Sequence, residues 1–197
     1  MLHRNLPLGI ASKTIAVMII VSLSLLLNSC GMTYKIGEKS FSSSEEALKW
    51  QSDMFADYIN QITPAPHPVG GIALILIPSD DEIVRNYINY GRRSSKDGIE
   101  YIRTATRNSM QLNADAIIRR RIFNSVRIDR HDGNPANVSV GENDFLIFGD
   151  VDGWSIKGKG KSQIIPITVD KSKSVGMERL IAFLDAVFRA ADDLRNR

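Results

Sequence analysis

The sequence has only one cysteine, Cys30, among its 197 residues. An internal disulfide is therefore excluded, and the stability of the fold must come from packing. No segment repeats with a period of 20–50 residues, which excludes solenoids and propellers. No acidic residue occurs before Glu38, so the first part of the chain differs in charge from the rest.

Beyond residue 29 the charges are nearly balanced. Residues 1–29 hold two of the 25 basic residues and none of the 22 acidic ones. The remaining 168 residues thus carry 23 basic and 22 acidic side chains, a net charge of +1. This balance does not indicate a nucleic-acid partner. The length suits one domain with a sound hydrophobic core.

The motifs of common active sites are also missing. There is no G-x-S-x-G nucleophile elbow. Residues 158–162 read Gly-Lys-Gly-Lys-Ser, but a phosphate-binding loop needs a hydroxyl where Gly160 stands, so we interpret them as a basic hairpin loop. Residues 150–153 are a calcium-loop fragment without the remaining ligands. The sequence predicts no cofactor and no metal site.

The amino-terminal segment has the order of a secretory signal peptide. Arg4 and Lys13 precede residues 15–27, in which only Ser22 and Ser24 are polar. A basic start, a short apolar core and small residues at its end are typical of such a leader. Thirteen residues are short for a bilayer span, which needs about 20, so a retained membrane helix is disfavoured.

The end of that segment carries a more specific signal. Residues 27–30 read Leu-Asn-Ser-Cys. This resembles the lipobox of bacterial lipoproteins, with a Leu three residues before the Cys and a small residue just before it. The resemblance implies that residues 1–29 are removed, that Cys30 receives a diacylglycerol on sulfur, and that its amino group is acylated. Gly31, in place of Asp, favours an exported protein anchored in the outer membrane facing the periplasm, where the organism has one.

Residues 30–44 are then the lipidated cysteine and a tether, although Tyr34, Ile36 and Phe41 also allow a short strand. Residues 45–62 predict an amphipathic helix, which Ser43 and Glu46 begin as a capping box. Its aromatic stripe is typical of a core-facing surface.

Residues 63–68 contain three prolines and His67, and they predict a loop. A solvated histidine is the simpler interpretation of His67, against a ligand or general base. Residues 72–77 are all apolar and predict a strand buried on both faces. A helix follows to about Tyr90, and Gly91 can close it.

The junction between that strand and helix is our candidate site. Its polar residues are Ser79, Asp80, Asp81 and Glu82. In α/β proteins, sites gather at the carboxyl ends of strands. The alternative is that these residues only cap the helix and complement its dipole. Adjacent residues His131 and Asp132, on a predicted turn, and His67 are further candidates for acid–base chemistry.

Residues 99–123 predict a helix, with a break near Asn108 and Asn113. The end of this helix and the strand after it hold the densest basic patch of the chain, Arg119, Arg120, Arg121, Arg127 and Arg130. It suits anionic lipid headgroups or an acidic partner. A solvated helix end that matches the dipole is the alternative.

The carboxyl-terminal part alternates between short strands and turns. Residues 126–130 predict a strand exposed on one face, 138–140 a brief pairing, and 145–148 a second buried strand. A hairpin leads into 154–157, and Pro166 places the strand over 163–169 at an edge or bulge. Residues 176–194 predict a helix docked on a sheet.

These elements predict one α/β or α+β domain over residues 45–197, with a mixed sheet of about five strands. Over residues 70–195 their order is similar to the small α/β domains of periplasmic assembly lipoproteins related to curli-export and translocation proteins, a similarity of topology without a shared motif. Our first hypothesis is a non-enzymatic lipoprotein, anchored in a membrane by Cys30, that binds or assembles another envelope protein. The alternatives are an envelope hydrolase with its site at residues 79–82, helped by His67 or His131, and a lipid- or glycan-binding module.

Overall fold

The computed structural model describes residues 33–36, 39–89, 94–149, 153–158, 163–169 and 176–196. The predicted signal peptide, Cys30, Gly91 and the loop at 159–162 lie outside the described residues. Asp150 and Asp152 of the calcium-loop fragment lie outside them as well. The chain divides after Ala47 into two compact units.

In the first unit, residues predicted as a tether or a short strand form a hairpin. Strand β1 (Tyr34–Ile36) pairs antiparallel with β2 (Lys39–Phe41). The strand alternative is therefore confirmed.

Helix α1 (Ser44–Gln61) begins with the predicted serine cap. The Glu46 N–H donates to Ser43 Oγ at 3.2 Å. The Glu46 carboxylate accepts from Ser42 rather than from the Ser43 N–H that a capping box would use, with 3.0 Å to the Ser42 hydroxyl. The predicted division of faces holds, since Lys49, Asp53 and Asp57 are exposed.

The second unit contains a five-stranded sheet and the helices packed on it. Its strands are β3 (Ile72–Pro78), β4 (Ser125–His131), β5 (Asp144–Gly149), β6 (Trp154–Gly158) and β7 (Ile164–Ile167). Its further helices are α2 (Asp80–Asn89), α3 (Lys96–Arg120) and α4 (Met177–Asn196), with a short 3-10 helix at Pro135–Asn137. The strand order is β4-β3-β5-β6-β7. Strand β3 runs parallel to β4 and β5, whereas β6 is antiparallel to both of its neighbours, β5 and β7. The predicted α/β class and mixed sheet are therefore confirmed.

One face of the sheet is covered by helices. Ala73, Ile75 and Ile77 alternate along β3 and join the core formed with α3 and α4. The predicted burial of β3 on both faces is confirmed for most of its length, because Leu76, which points the other way, is only 4% exposed. Pro166 lies on β7, which is an edge strand as predicted.

The opposite face is crossed by the link between β4 and β5. Because β3 lies between these strands, residues 132–143 must pass over it. Lys157 aligns with the fully buried Leu146, and its Nζ donates to the carbonyls of Ala136 at 3.1 Å and Val138 at 3.4 Å. The link therefore runs over the face away from α3 and α4.

Two predictions of local structure were wrong. Helix α3 is continuous through Asn108 and Asn113. Asn108 lies inside the helix, and its amide donates to Gln51 Oε1 of α1 at 3.4 Å. Residues 138–140 form no strand, because they cross the sheet over its face rather than along an edge.

Candidate functional site

A cleft of about 420 Å³ opens where β3 and β5 end. The strands contribute Leu76, Pro78, His131, Phe148 and Gly149, helix α2 contributes Glu82 and Asn86, and the β4–β5 link contributes Gly133, Asn134 and Pro135. From β3 the chain continues to β4 on one side, and β5 lies on the other. In open α/β sheets, a binding crevice usually lies at the carboxyl ends of two parallel strands between which the strand order reverses.

Ser79 joins the last residue of β3 to the first turn of α2. Its Oγ accepts from the Glu82 N–H at 3.2 Å, as an N-cap does. Its own N–H donates to the His131 carbonyl at 3.2 Å, which extends the pairing of β3 with β4 by one bond. The predicted capping role of Ser79 is thus observed directly.

The Ser79 hydroxyl also donates to Asp132 Oδ1. The hydroxyl is therefore engaged both as acceptor and as donor. Arg85 pairs with Glu82 and lies 3.7 Å from Asp132, so it holds both carboxylates on the rim of the cleft. The hydrogen bond from Arg85 to Glu82, and then the negative charge of Glu82, raise the pKa of the Arg85 guanidinium.

Asp80, the first residue of α2, makes ion pairs that are separate from those of Glu82 and Asp132. Its carboxylate lies 2.9 Å from Arg107 of α3 and 3.1 Å from Arg130 of β4. Three elements therefore meet on this single side chain. Asp81, the next residue, is exposed.

The structure places the two candidate histidines at opposite ends of the parallel strands. His131 lines the cleft, but its imidazole makes no hydrogen bond within the described part of the chain. His67 is exposed on the loop before β3. The Ala65 N–H of that loop donates to the Arg120 carbonyl at 2.7 Å, just before β4 starts, so His67 belongs to the amino-terminal edge of the parallel strands. The predicted combination of His67 with residues 79–82 is not brought together.

The five arginines of the predicted basic patch are also divided between the two edges. Arg119, Arg120 and Arg121 end α3 at the amino-terminal edge, whereas Arg130 lies at the carboxyl edge with Asp80. Arg120 donates to the Thr63 carbonyl at 2.9 Å and pairs with Asp185 of α4 at 3.3 Å. Arg119, Arg121 and Arg127 are exposed.

The cleft combines an apolar floor with several polar groups. Leu76, Pro78 and Phe148 offer apolar surface, and the polar groups come from Glu82, Asn86 and His131. Such a mixture suits the side chains and amides of a bound segment. A lipid-binding module needs a larger and more uniformly apolar pocket. Within the described ranges, no group of three potential metal ligands is found.

The sequence indicated this end of the parallel strands, but of the ten residues that line the cleft only Glu82 and His131 were among the candidates. Asn86, Asn134 and Phe148 carry no motif, and they come together only through the tertiary arrangement of α2, the β4–β5 link and β5. The turn predicted at His131 and Asp132 continues into Asn134 and Pro135. The Asn134 side chain does accept from the Ala136 N–H at 3.0 Å and starts the 3-10 helix.

Comparison with known proteins found no matching family, no similar curated protein and no similar solved structure. None of the helices in the described ranges has the length and apolar character needed to span a membrane.

Proposed function

We propose that this chain is a cell-envelope lipoprotein, held on a membrane by acyl chains on Cys30, whose domain at 45–197 binds another envelope protein without catalysing a reaction. The anchor is supported by the basic start, the short apolar run and the Leu-Asn-Ser-Cys sequence at residues 27–30. Two or more acyl chains hold a protein stably at a membrane.

The observation that carries the binding role is the state of Ser79. This hydroxyl is the obvious nucleophile by position, yet it caps α2 and donates to Asp132. In a serine–histidine hydrolase the base is an imidazole, but the group that accepts from the Ser79 hydroxyl is the Asp132 carboxylate, and no imidazole is bonded to that hydroxyl among the described residues. The bonds of Ser79 therefore support a binding role for this region over a serine–histidine nucleophile.

The cleft favours a protein segment as its occupant. Its volume of about 420 Å³ accommodates one or two side chains, with Phe148 and Leu76 beneath them. Asn86 and His131 provide donors and acceptors that suit the peptide groups of such a segment. Arg85 offsets part of the negative charge of Glu82 and Asp132 at the rim.

Site-specific photocrosslinking in intact envelopes tests this function. A photoreactive residue replaces Asn134 in the cleft, and a matched variant carries it at Asn60, an exposed asparagine of α1. We expect discrete adducts with another envelope protein from position 134 and not from position 60. Equal labelling at both positions, or none from position 134, would contradict the proposal.

The second candidate is an envelope hydrolase, and one observation favours it. His131 and Glu82 line the same cleft and are the residue types of general acid–base pairs. Hydrolysis of an envelope substrate that His131→Ala abolishes, while Asn134→Ala retains it, would select the hydrolase.

A further inference from the structure

We propose that two copies of this chain associate through β4, in antiparallel orientation, to join their sheets into one ten-stranded sheet. Strand β4 is an edge strand of seven residues, Ser125–His131, and β3 is its one partner in the described part of the chain. An uncovered edge of this kind is a template for pairing with a further strand.

The backbone groups available for pairing can be identified. The His131 carbonyl accepts from Ser79 beyond the end of β3, so the backbone of His131 faces β3. Alternation then turns the backbone groups of Arg130, Ile128 and Val126 away from the sheet. The Arg130 N–H donates instead to the side chain of Asp129 at 2.9 Å, as an N–H without a strand partner would.

The sequence of β4 is complementary to itself when one strand is reversed. A two-fold axis at Ile128 places Ile128 opposite Ile128 of the second copy, and Arg127 opposite Asp129 of the second copy. Each dimer then contains two such Arg–Asp pairs. A two-fold interface always repeats each contact in this way. This self-complementarity selects a second copy over an unrelated strand as the occupant of the edge.

The geometry of antiparallel pairing fits these charges. In this register Ile128 faces Ile128 of the second copy, and Val126 faces Arg130 of the second copy. These residues have the outward backbone groups, so they form hydrogen-bonded pairs. The Arg127–Asp129 pairs are then non-hydrogen-bonded, the type in which side chains lie closer, with Cα atoms about 4.5 Å apart. Opposite charges facing each other across strands stabilise the pairing.

The two charged side chains are free to make these contacts. Arg127 and Asp129 are both exposed, and neither has an ion-pair partner among the residues that the structure describes. On association, the Val126 carbonyl of the second copy accepts from the Arg130 N–H. The Asp129 carboxylate is thereby released toward Arg127 of the second copy.

Disulfide trapping in the full chain tests the arrangement. Ile128→Cys places two thiols opposite each other at a Cα separation of about 5.5 Å, within the range of roughly 4.4–6.8 Å that disulfides accept. The matched control is Ile164→Cys on the opposite edge strand, because Ile164 is 39% exposed and Ile128 is 36% exposed. The unmodified chain measures any background from Cys30. We expect a covalent dimer from Ile128→Cys only, upon mild oxidation.

Charge reversal then tests the register. In the Ile128→Cys background, Arg127→Asp or Asp129→Arg alone places like charges opposite each other and lowers dimer yield by about tenfold. The double change restores opposite charges and the yield. Coexpression of the two single variants also restores it, in a dimer containing one of each.

Three results would overturn the inference. One is a dimer yield from Ile128→Cys no higher than from Ile164→Cys. Another is a yield that the single charge reversals leave unchanged. The third is an adduct whose mass is not twice that of the chain, which would assign the edge to a strand from another protein.

Discussion

Ser79 and Asp132 are 53 residues apart in the sequence, and the Ser79 hydroxyl donates a hydrogen bond to the Asp132 carboxylate. The bond joins the first turn of α2 to the start of the β4–β5 link. Both are walls of the cleft, so this contact helps to fix the shape of the proposed binding site.

Ser79→Ala removes this bond and the cap of α2. We expect the free energy of unfolding to fall by about 1–2 kcal/mol, as measured by urea denaturation. Ser79→Thr keeps the hydroxyl and is expected to retain most of the stability. If Ser79→Ala left stability unchanged but abolished a hydrolytic activity, Ser79 would be a nucleophile instead of a cap.

Gln51 is the second polar contact that positions an element. It is 2% exposed, and its Nε2 donates to the Ala105 carbonyl at 3.1 Å and to Ser109 Oγ at 3.0 Å. Gln51→Ala leaves the half-buried Ser109 hydroxyl without this donor and creates a void, so we expect a loss of about 1–3 kcal/mol. The matched control is Gln61→Ala on the exposed side of the same helix, with an expected change within about 0.5 kcal/mol. Equal losses for the two variants would refute the docking role of Gln51.

Asp80 bridges Arg107 and Arg130, and each of its contacts is partly exposed. Asp80→Asn is therefore expected to cost about 0.5–1 kcal/mol at low salt, and less at 1 M salt, where screening weakens the pairs. Asp53→Asn breaks only the highly exposed Lys49–Asp53 pair and should cost almost nothing. A cost for Asp80→Asn that salt leaves unchanged would show that the bridge is not held by charge.

Glu100 provides a prediction about pH. The hydrogen bond from Arg103, together with the positive charge of Arg103, lowers the pKa of the Glu100 carboxyl below its ordinary value of 4.5. A lowered folded-state pKa stabilises the fold above the unfolded-state pKa, and the contribution disappears as pH falls through the folded-state value. Glu100→Gln should reduce the loss of stability on acidification from pH 4.5 downward. An identical pH dependence for this variant and the unchanged chain would exclude the Glu100–Arg103 pair as a source of it.

How far the sequence predicted the fold depended on whether a signal was local. Three features could be predicted from a few neighbouring residues, and the structure confirms them. They are the buried strand β3, the Ser43 cap of α1 and the edge position of β7, which contains a proline. The break predicted near Asn108 and Asn113 was wrong because asparagine favours helix starts over helix interiors, whereas the contact of Asn108 with Gln51 of α1 is made from inside a continuous helix.

The candidate site shows the same division. The position of Ser79 after a buried strand indicated the carboxyl edge of the sheet. That β5 lies beside β3 follows from long-range pairing, and this pairing brings Phe148 to the cleft. Likewise, Arg130 is close to Arg121 in sequence, but the two residues lie at opposite ends of β4 and therefore at opposite ends of the parallel strands.

The most direct test of the proposed function is mass spectrometry of the mature amino terminus. We predict a terminal peptide that begins at Cys30, with a diacylglycerol on its sulfur and a fatty acyl chain on its amino group. A chain that retains Met1, or one in which Cys30 carries no lipid, would contradict the account of an anchored envelope protein.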